Sequence, residues 1–425
     1  MRPSATQRLR LHSWLHRTVV AVALLGVASG FAQYAVTASL SDVATEFGAD
    51  GGDAAAVGLS ATTVGLGLAV IRFASLGALP LSSVADRHGR RRVLMGTTAI
   101  GLGLTVLAAA SPSFWWFVAI ISLGRPLLTA ANAVGSVVVS EETTSQHRTK
   151  AVALAIAGYG IGVGLVSVLR VPINSLFGLG FRGTFAFALV PLLALPLIGR
   201  LIAEPDRFVV LRQRTVAGPR LRGLTAVHPT LRSRLWILVA MTFAFNFVTG
   251  PVNTFLFFYA EGELGVSGAS MAGTVIAAGA FSLVGLLVGR WSADRLGRRI
   301  GSLLPHVLLA ASGVLIYSGS FAGLVSGYWM GGLAQGAYGT AFGALSTEVF
   351  PTSNRATAQG WLAAAGVAGA VAGLVLFGAV SDVMNSFVIA ALSVCVPCAV
   401  AAIGYLPLPE TRGQELEESA PEVTF

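Results

Sequence analysis

The chain has 425 residues, of which 54% are hydrophobic and 11% are charged, and its mean hydropathy is +0.75. A soluble globular protein carries roughly 25% charged residues, so the composition excludes one. The net charge is +9, from 28 Lys plus Arg against 19 Asp plus Glu. Because the apolar residues come in stretches of about 20, the length of a helix that crosses a bilayer, we expect an all-α polytopic membrane protein in contact with lipid.

Twelve apolar stretches, called spans 1 to 12 in chain order, are predicted to be transmembrane helices. They cover residues 18–40, 58–81, 93–111, 114–139, 151–173, 184–202, 234–260, 269–291, 301–319, 322–347, 357–380 and 386–407. The predicted organisation is an N-terminal segment 1–17, a six-helix bundle 18–202, a linker 203–233, a second six-helix bundle 234–407 and a C-terminal tail 408–425.

The positions of Lys and Arg predict the orientation, because positive residues are retained in cytoplasmic loops. All but four of these residues lie in the termini, the linker or the loops of one side; Arg182 lies on the other side, and Arg72, Arg125 and Arg170 lie inside spans. We therefore expect both termini in the cytoplasm and the protein in the inner (plasma) membrane. Topology explains the basic charge, so we expect no nucleic-acid partner.

Two charged loops occur twice in the chain. Segment Ala85–Arg91 after span 2 recurs as Ala293–Arg299 after span 8, and Glu141 with Arg148 after span 4 recur as Glu348 with Arg355 after span 10. Both pairs have almost the same offset, over six spans. This indicates duplicated six-helix halves related by an axis along the membrane normal.

The repeated Asp-Arg-x-Gly-Arg-Arg loop resembles the signature of the major facilitator superfamily. The segments Glu204–Phe208, Glu348–Thr352 and Pro409–Glu418 are similar to loops of its sugar porter and metabolite-proton symporter branches. The resemblance implies the twelve-helix major facilitator fold in two pseudo-symmetric bundles. The chain departs from true sugar porters in span 7, where Phe245-Asn246-Phe247 replaces a pair of Gln.

The repeated loop charges are candidate gating residues, because a carrier that alternates between two openings needs contacts that form in one state and break in the other. The set is Asp86, Arg87, Arg90, Glu141, Arg148, Asp294, Arg295, Arg298, Glu348 and Arg355. The alternative is that these residues are topology determinants and solvated loop charges.

Polar side chains inside spans are candidate substrate ligands, since buried polar groups in a bilayer are costly and usually face a cavity. They fall in spans 1, 4, 7 and 10, the helices that line the central cavity of the resembled fold. The set is Gln33, Tyr34, Thr37, Thr129, Asn132, Asn246, Thr249, Asn253, Gln335 and Tyr338, with Gly250-Pro251 expected to break the helix of span 7. The alternative is a bond to a neighbouring helix.

Arg72 and Arg125 complete the substrate set, because both lie near the middle of spans and no carboxylate lies at that depth. An unpaired guanidinium that faces a cavity can bind a carboxylate or phosphate through two parallel hydrogen bonds. This favours an anionic substrate. The alternatives are a structural Arg125 that bonds carbonyls of span 1 or 2, and an Arg72 that pairs with Asp42 or snorkels.

The favoured function is a secondary active or facilitative transporter that moves a small polar, anionic metabolite by alternating access. The alternative is a multidrug efflux carrier, a proton-coupled antiporter with the aromatic residues of span 7 as its walls. A sensor or an enzyme would need an appended domain or a catalytic cluster. We expect no enzyme activity, cofactor or metal, and a monomer.

The sequence does not decide whether transport is coupled to protons or facilitative. All six His are expected on or near the cytoplasmic side, so a proton would bind an acid at a span end (Asp42, Glu46, Glu261 or Glu263) or the substrate itself.

Overall fold

The computed structural model describes residues 13, 15–48, 58–78, 80–81, 84–85, 89–143, 145–202, 229–350 and 352–414. The main helices are α1 Arg17–Ala38, α2 Leu40–Gly48, α3 Ala61–Ala74, α4 Arg90–Ala108, α5 Phe114–Glu142, α6 Ser145–Phe177, α7 Gly180–Ala186, α8 Leu189–Gly199, α9 Pro229–Thr254, α10 Leu256–Gly262, α11 Gly268–Arg295, α12 Arg298–Ile316, α13 Phe321–Glu348, α14 Thr352–Met384 and α15 Phe387–Ala401. A 3-10 turn, Ala402–Tyr405, follows α15. The predicted all-α class is confirmed, and every predicted span overlaps one or two of these helices.

Within the described residues, nine helical segments are long and apolar enough to cross a membrane, and Ala61–Gly77 is a shorter apolar helix. The two other predicted spans correspond to α4 and α13. Helix α4 opens with Arg90, Arg91 and Arg92, whose charge lowers the hydropathy of its first turn. Length and composition therefore support nine crossings among the described residues, and the helices at the other three predicted spans, Ala61–Gly77, α4 and α13, bring the number of spans with a helix to twelve.

Span 7 differs from its predicted course at Pro251. Helix α9 continues through this proline to Thr254, and α10 begins at Leu256. The break is displaced because Pro251 lacks only its own N–H, while its carbonyl still accepts the N–H of Phe255 at 2.9 Å. The expected break at Gly250-Pro251 is wrong, and Thr249 and Asn253 consequently lie one turn apart on a continuous helix.

The chain forms two compact units. One contains residues 1–39 and 74–219, and the other contains residues 40–73 and 220–425. Helix α3 thus packs with the second unit although it precedes the linker. The two six-helix bundles inferred from the duplication stay a prediction. The compact units are defined by contacts in the structure and not by the repeated sequence.

In the first unit, α1 packs lengthwise against α6. The backbones are so close that a Cβ at Gly30 would overlap the carbonyl of Tyr159, and one at Gly162 would overlap the carbonyl of Val27. Small residues of this kind are how membrane helices pack tightly, since lipid provides no hydrophobic force between them. Leu94 and Val138 belong to the buried apolar core that joins α1 to α4 and α5.

In the second unit, α9 packs against α14 in the same way, with Gly369 and Gly373 against the carbonyls of Phe243 and Phe247. Spans 7 and 11 are the duplicates of spans 1 and 5. The same close helix pair therefore occurs once in each half, as the sequence duplication predicts.

Candidate substrate site and loop network

Arg125 lies on α5, where it bridges to α1. Its Nη1 donates to the backbone carbonyl of Gln33 at 3.0 Å, and Tyr159 of α6 lies close enough to interact with it electrostatically. Its Nε is buried and has no hydrogen-bond partner among the described residues. The bond to Gln33 agrees with the alternative of a structural Arg125. The buried Nε–H still lacks an acceptor among the described residues.

A cleft of about 240 Å³ opens in the first unit between α1, α4, α5 and α6; Arg125 does not line it. Its polar lining comes from Asn132 and Ser136 of α5 and Tyr159 of α6, and the rest of its wall is aliphatic or glycine. The hydroxyl of Ser136 donates to the backbone carbonyl of Asn132 at 3.0 Å, so this bond does not use the side-chain amide of Asn132. Tyr159 lines the cleft and also interacts electrostatically with Arg125, so it links the cleft to the guanidinium.

The other predicted residues of the first unit are placed less favourably for a ligand. Gln33 is buried, and its amide donates to Ser29 at 2.9 Å, so it is engaged within α1. Tyr34 and Thr37 are partly exposed on the same helix. The hydroxyl of Thr129 donates to the carbonyl of Arg125 at 2.9 Å and keeps only its acceptor capacity.

In the second unit, Asn253 of α9 donates to Gln335 of α13 at 3.3 Å. Asn246 donates to the carbonyl of Thr242 at 2.9 Å, and Thr249 to that of Phe245 at 2.8 Å. The bond of Asn253 to Gln335 is the bond to a neighbouring helix that the sequence left open as the alternative, whereas Asn246 and Thr249 bond within α9. All four predicted ligands remain partly exposed, so their other donors and acceptors are accessible.

Tyr338 and Arg72 complete the predicted substrate set. Tyr338 is only 7% exposed, and its ring is stacked against Phe245, with centroids 3.6 Å apart. Arg72 is partly buried near the end of α3, in the second unit. Arg125 belongs to the first unit.

The repeated loop of the second half forms a charged network at the start of α12. Arg298 donates to Asp294 at 2.8 Å and to Glu348 at 3.2 Å. The side chains of Arg298 and Glu348 are 19% and 17% exposed, whereas that of Asp294 is 52% exposed. The ion pair of Arg298 with Glu348 is better shielded from water, so it contributes more to stability than the exposed pair of Arg298 with Asp294.

The C-terminal tail holds this network in place, which the sequence analysis did not predict. The carboxylate of Glu410 accepts from the backbone N–H groups of Arg298 at 2.7 Å and Arg299 at 3.3 Å, at the N-terminus of α12. Thr411 donates to Glu348, and Arg412 donates to the carbonyl of Arg295 at 2.7 Å. A carboxylate at a helix N-terminus satisfies free N–H groups and the helix dipole.

The other candidate gating residues are placed as follows. Arg295 lies over the ring of Trp291, 5.7 Å from its centroid, and Arg90 is buried as the first residue of α4. Gly89 and Gly297, which precede α4 and α12, both have positive φ, 102° and 97°. Asp86 and Arg87 lie outside the described residues, as do the side chains of Glu141, Arg148 and Arg355.

Three of the six Phe of span 7 are buried and serve in packing, whereas Phe243 is 37% exposed. Phe245, Phe255 and Phe257 are 7%, 0% and 1% exposed. Phe255 stacks on Phe377 of α14, with centroids 5.0 Å apart. Among the described residues, no group of His, Cys, Asp and Glu is arranged to hold a metal ion.

The duplicated helix pairs, the polar regions within the spans and the charged loop network define the class of the protein: a polytopic helical transporter. The sequence model of the Major Facilitator Superfamily matches residues 22–300 and 275–423. The chain belongs to this superfamily, as its repeated loops predicted.

Similar proteins support this assignment. A putative metabolite transport protein of Haemophilus influenzae is 27% identical over 400 residues, which cover 88% of this chain and 96% of that protein. A gallate transporter of Pseudomonas putida is 27% identical, over 72% of this chain and 74% of its own. The inward-open xylose transporter of E. coli has a similar structure, with a TM-score of 0.73 at 17% identity, over 94% of this chain and 98% of its own.

Proposed function

We propose that this carrier moves small organic anions, in particular aromatic carboxylates, and that Arg125 binds the carboxylate. The observation that carries the proposal is the buried Nε of Arg125, which has no acceptor among the described residues. Leaving such a donor unpaired costs free energy, and a carboxylate that reaches it would form a charge-assisted bond.

The surroundings of Arg125 fit an aromatic acid. Asn132, Ser136 and Tyr159 supply polar atoms, and the aliphatic wall of the same cleft suits a ring. Gallate, the compound in the name of one relative, is an aromatic carboxylate with hydroxyl groups. A ligand of that kind would use both the guanidinium and the polar side chains.

The loop network suggests how access would alternate. We propose that Arg298, Asp294 and Glu348, with the tail residues Glu410 and Thr411, hold one side of the carrier shut and separate when it opens. We propose that this side, and both termini, face the cytoplasm, as the Lys and Arg distribution favours. Because one chain carries both halves, we propose that the monomer transports.

A ligand screen on the purified protein tests the substrate class. Gallate, xylose and tetraphenylphosphonium represent an aromatic anion, a neutral sugar and a drug-like cation. Only a true ligand raises the unfolding temperature by mass action, and we expect that of gallate alone to rise with ligand concentration. Stabilisation by xylose or the cation, with none by gallate, would contradict the proposal.

A further inference from the structure

A buried polar chain in the second unit ends at Tyr338 of the predicted substrate set, and its two other members have no role in the site described above. His306 of α12 is 0% exposed, and its Nδ1 lies 3.0 Å from the hydroxyl of Tyr405. Tyr405 in turn donates to the hydroxyl of Tyr338 at 3.1 Å. Because the Tyr405 proton is used in this bond, Nδ1 carries the proton of neutral His306 and donates to Tyr405.

The other imidazole nitrogen, Nε2, is then unprotonated and can act as a base. Nε2 of His306 is buried and has no hydrogen-bond partner among the described residues. Buried polar atoms are almost always paired, and an exception calls for a role. Imidazole is the side chain that binds and releases protons near neutral pH, so a bare Nε2 is chemically a proton-acceptor site.

The position of His306 corrects the sequence analysis, which placed every His near the cytoplasmic side. It is the ninth of the 19 residues of α12, midway along that helix. Coupling ions of secondary transporters bind near the bilayer midplane, so a position midway along a spanning helix suits a proton site.

The chain of hydroxyls leads from His306 towards the predicted ligand residues of the second unit. Tyr338 is one helical turn from Gln335, which bonds Asn253 of α9. The ring of Tyr338 is fixed between Phe245 and Phe342, at centroid distances of 3.6 and 4.7 Å. The Tyr338 ring is thus held in one position, on the helix that carries Gln335.

The groups that face His306 contain no fixed charge. From the elements packed against α12, the 3-10 turn presents Tyr405, α13 presents Tyr338, and α9 presents the ring of Phe245. Cys398 of α15 lies beside both tyrosines. No charged side chain of the described segments, those of α11 included, acts on the imidazole. A proton on His306 would therefore be the first charge in this part of the unit.

We propose that His306 is the proton-binding site of this carrier, with Tyr405 and Tyr338 as its relay. A proton binds the lone pair of Nε2, the Nδ1 proton passes to the Tyr405 oxygen, the Tyr405 proton passes to Tyr338, and the Tyr338 proton leaves towards Gln335 and Asn253. One proton enters and one leaves, and no other bond changes. The inference rests on the proposed function only in requiring a transported substrate.

The test separates proton coupling from substrate movement. In proteoliposomes that contain a pH-sensitive dye, gallate uptake by the unchanged protein should move protons, while exchange of gallate across the membrane requires no net proton movement. We expect H306Q to lose proton movement by at least tenfold and to retain exchange. Y405F, which keeps the imidazole but removes the relay proton, should also slow proton movement.

The control is H16Q. His16 lies before α1, where its Nδ1 accepts from the backbone of Thr18, so both activities should persist in this variant. Proton movement that survives in H306Q would overturn the proposal, and so would its loss in H16Q to the same extent.

A second measurement needs no substrate and remains informative if gallate is not transported. In protein labelled with ¹⁵N at histidine, the signal that H306Q removes should show a proton on Nδ1 and none on Nε2 at high pH, and should gain the second proton on acidification. Failure of gallate binding alone would refute the substrate class and leave this result intact. A signal that stays neutral from about pH 8 down to about pH 5 would refute the proton site.

Discussion

The carboxylate of Asp382, in the last turn of α14, accepts a hydrogen bond from the backbone N–H of Thr62, in the first turn of α3, at 2.7 Å. Its second oxygen accepts from the N–H of Ala61 at 2.9 Å. A side chain from the second half thus caps a helix of the first, at the ends away from the repeated loops. Gly378 permits the approach, because a Cβ there would meet the carbonyl of Ala61.

Replacing this cap should loosen the crossing of α3 and α14. Asp382→Ala leaves two N–H groups without their acceptor and removes a charge that favours the helix N-terminus, at a cost of about 1 to 2 kcal/mol. A lower thermal midpoint than that of the unchanged protein is expected. Asp382→Asn, which keeps one oxygen acceptor, should fall in between; equal midpoints for all three proteins would show that the cap is not stabilising.

The sequence predicted the helices better than the contacts between them, for a physical reason. Span positions follow from the length and composition of each stretch alone. The caps from Asp382 and Glu410 and the bond between His306 and Tyr405 join residues 321, 112 and 99 positions apart. No local pattern specifies such pairs. Arg125 could be recognised as unusual from its depth, but its bond to Gln33 could not.

The close packing of α6 against α1 predicts opposite effects for two neighbouring glycines. A Cβ at Gly162 would overlap the backbone of α1, whereas one at Gly160 meets nothing within 4 Å. Gly162→Ala should destabilise the protein by about 1 to 3 kcal/mol through overpacking. Gly160→Ala is the matched control and should be neutral or slightly stabilising, since Ala favours a helix. Thermal unfolding in detergent gives the midpoint of each variant. Similar midpoints for the two variants would show that α1 and α6 can move apart with little loss of stability.

The loop network makes a prediction about transport rather than binding. Glu348→Gln removes the charge that pairs with Arg298, so the proposed closed side should open more readily. Uptake into proteoliposomes should fall more than equilibrium binding of gallate. Glu422→Gln, in the C-terminal tail and outside the described residues, is the control and should change neither. If binding and uptake fall together in a folded Glu348→Gln protein, the residue belongs to the binding site and not to a gate.

The proposed orientation can be measured independently of function. With Cys395 and Cys398 replaced by Ser, single cysteines are introduced at Asp50 and at Ala420, both outside the described residues. An impermeant thiol reagent added to intact cells should label position 50 only, because the Lys and Arg distribution favours a cytoplasmic C-terminus. Labelling of position 420 from outside would reverse the orientation.

The sharpest prediction concerns Arg125. Its Nη1 bond to Gln33 fixes the guanidinium, and its Nε is left for a ligand, so Arg125→Ala should lose gallate binding by about 2 to 5 kcal/mol. Arg125→Lys keeps the charge without the planar pair of donors and should retain a weak remnant. Binding to purified protein, with the thermal midpoint of each variant as a check of folding, measures both. If Arg125→Ala is folded and binds gallate as the unchanged protein does, Arg125 only joins α5 to α1, and the anion must be bound elsewhere.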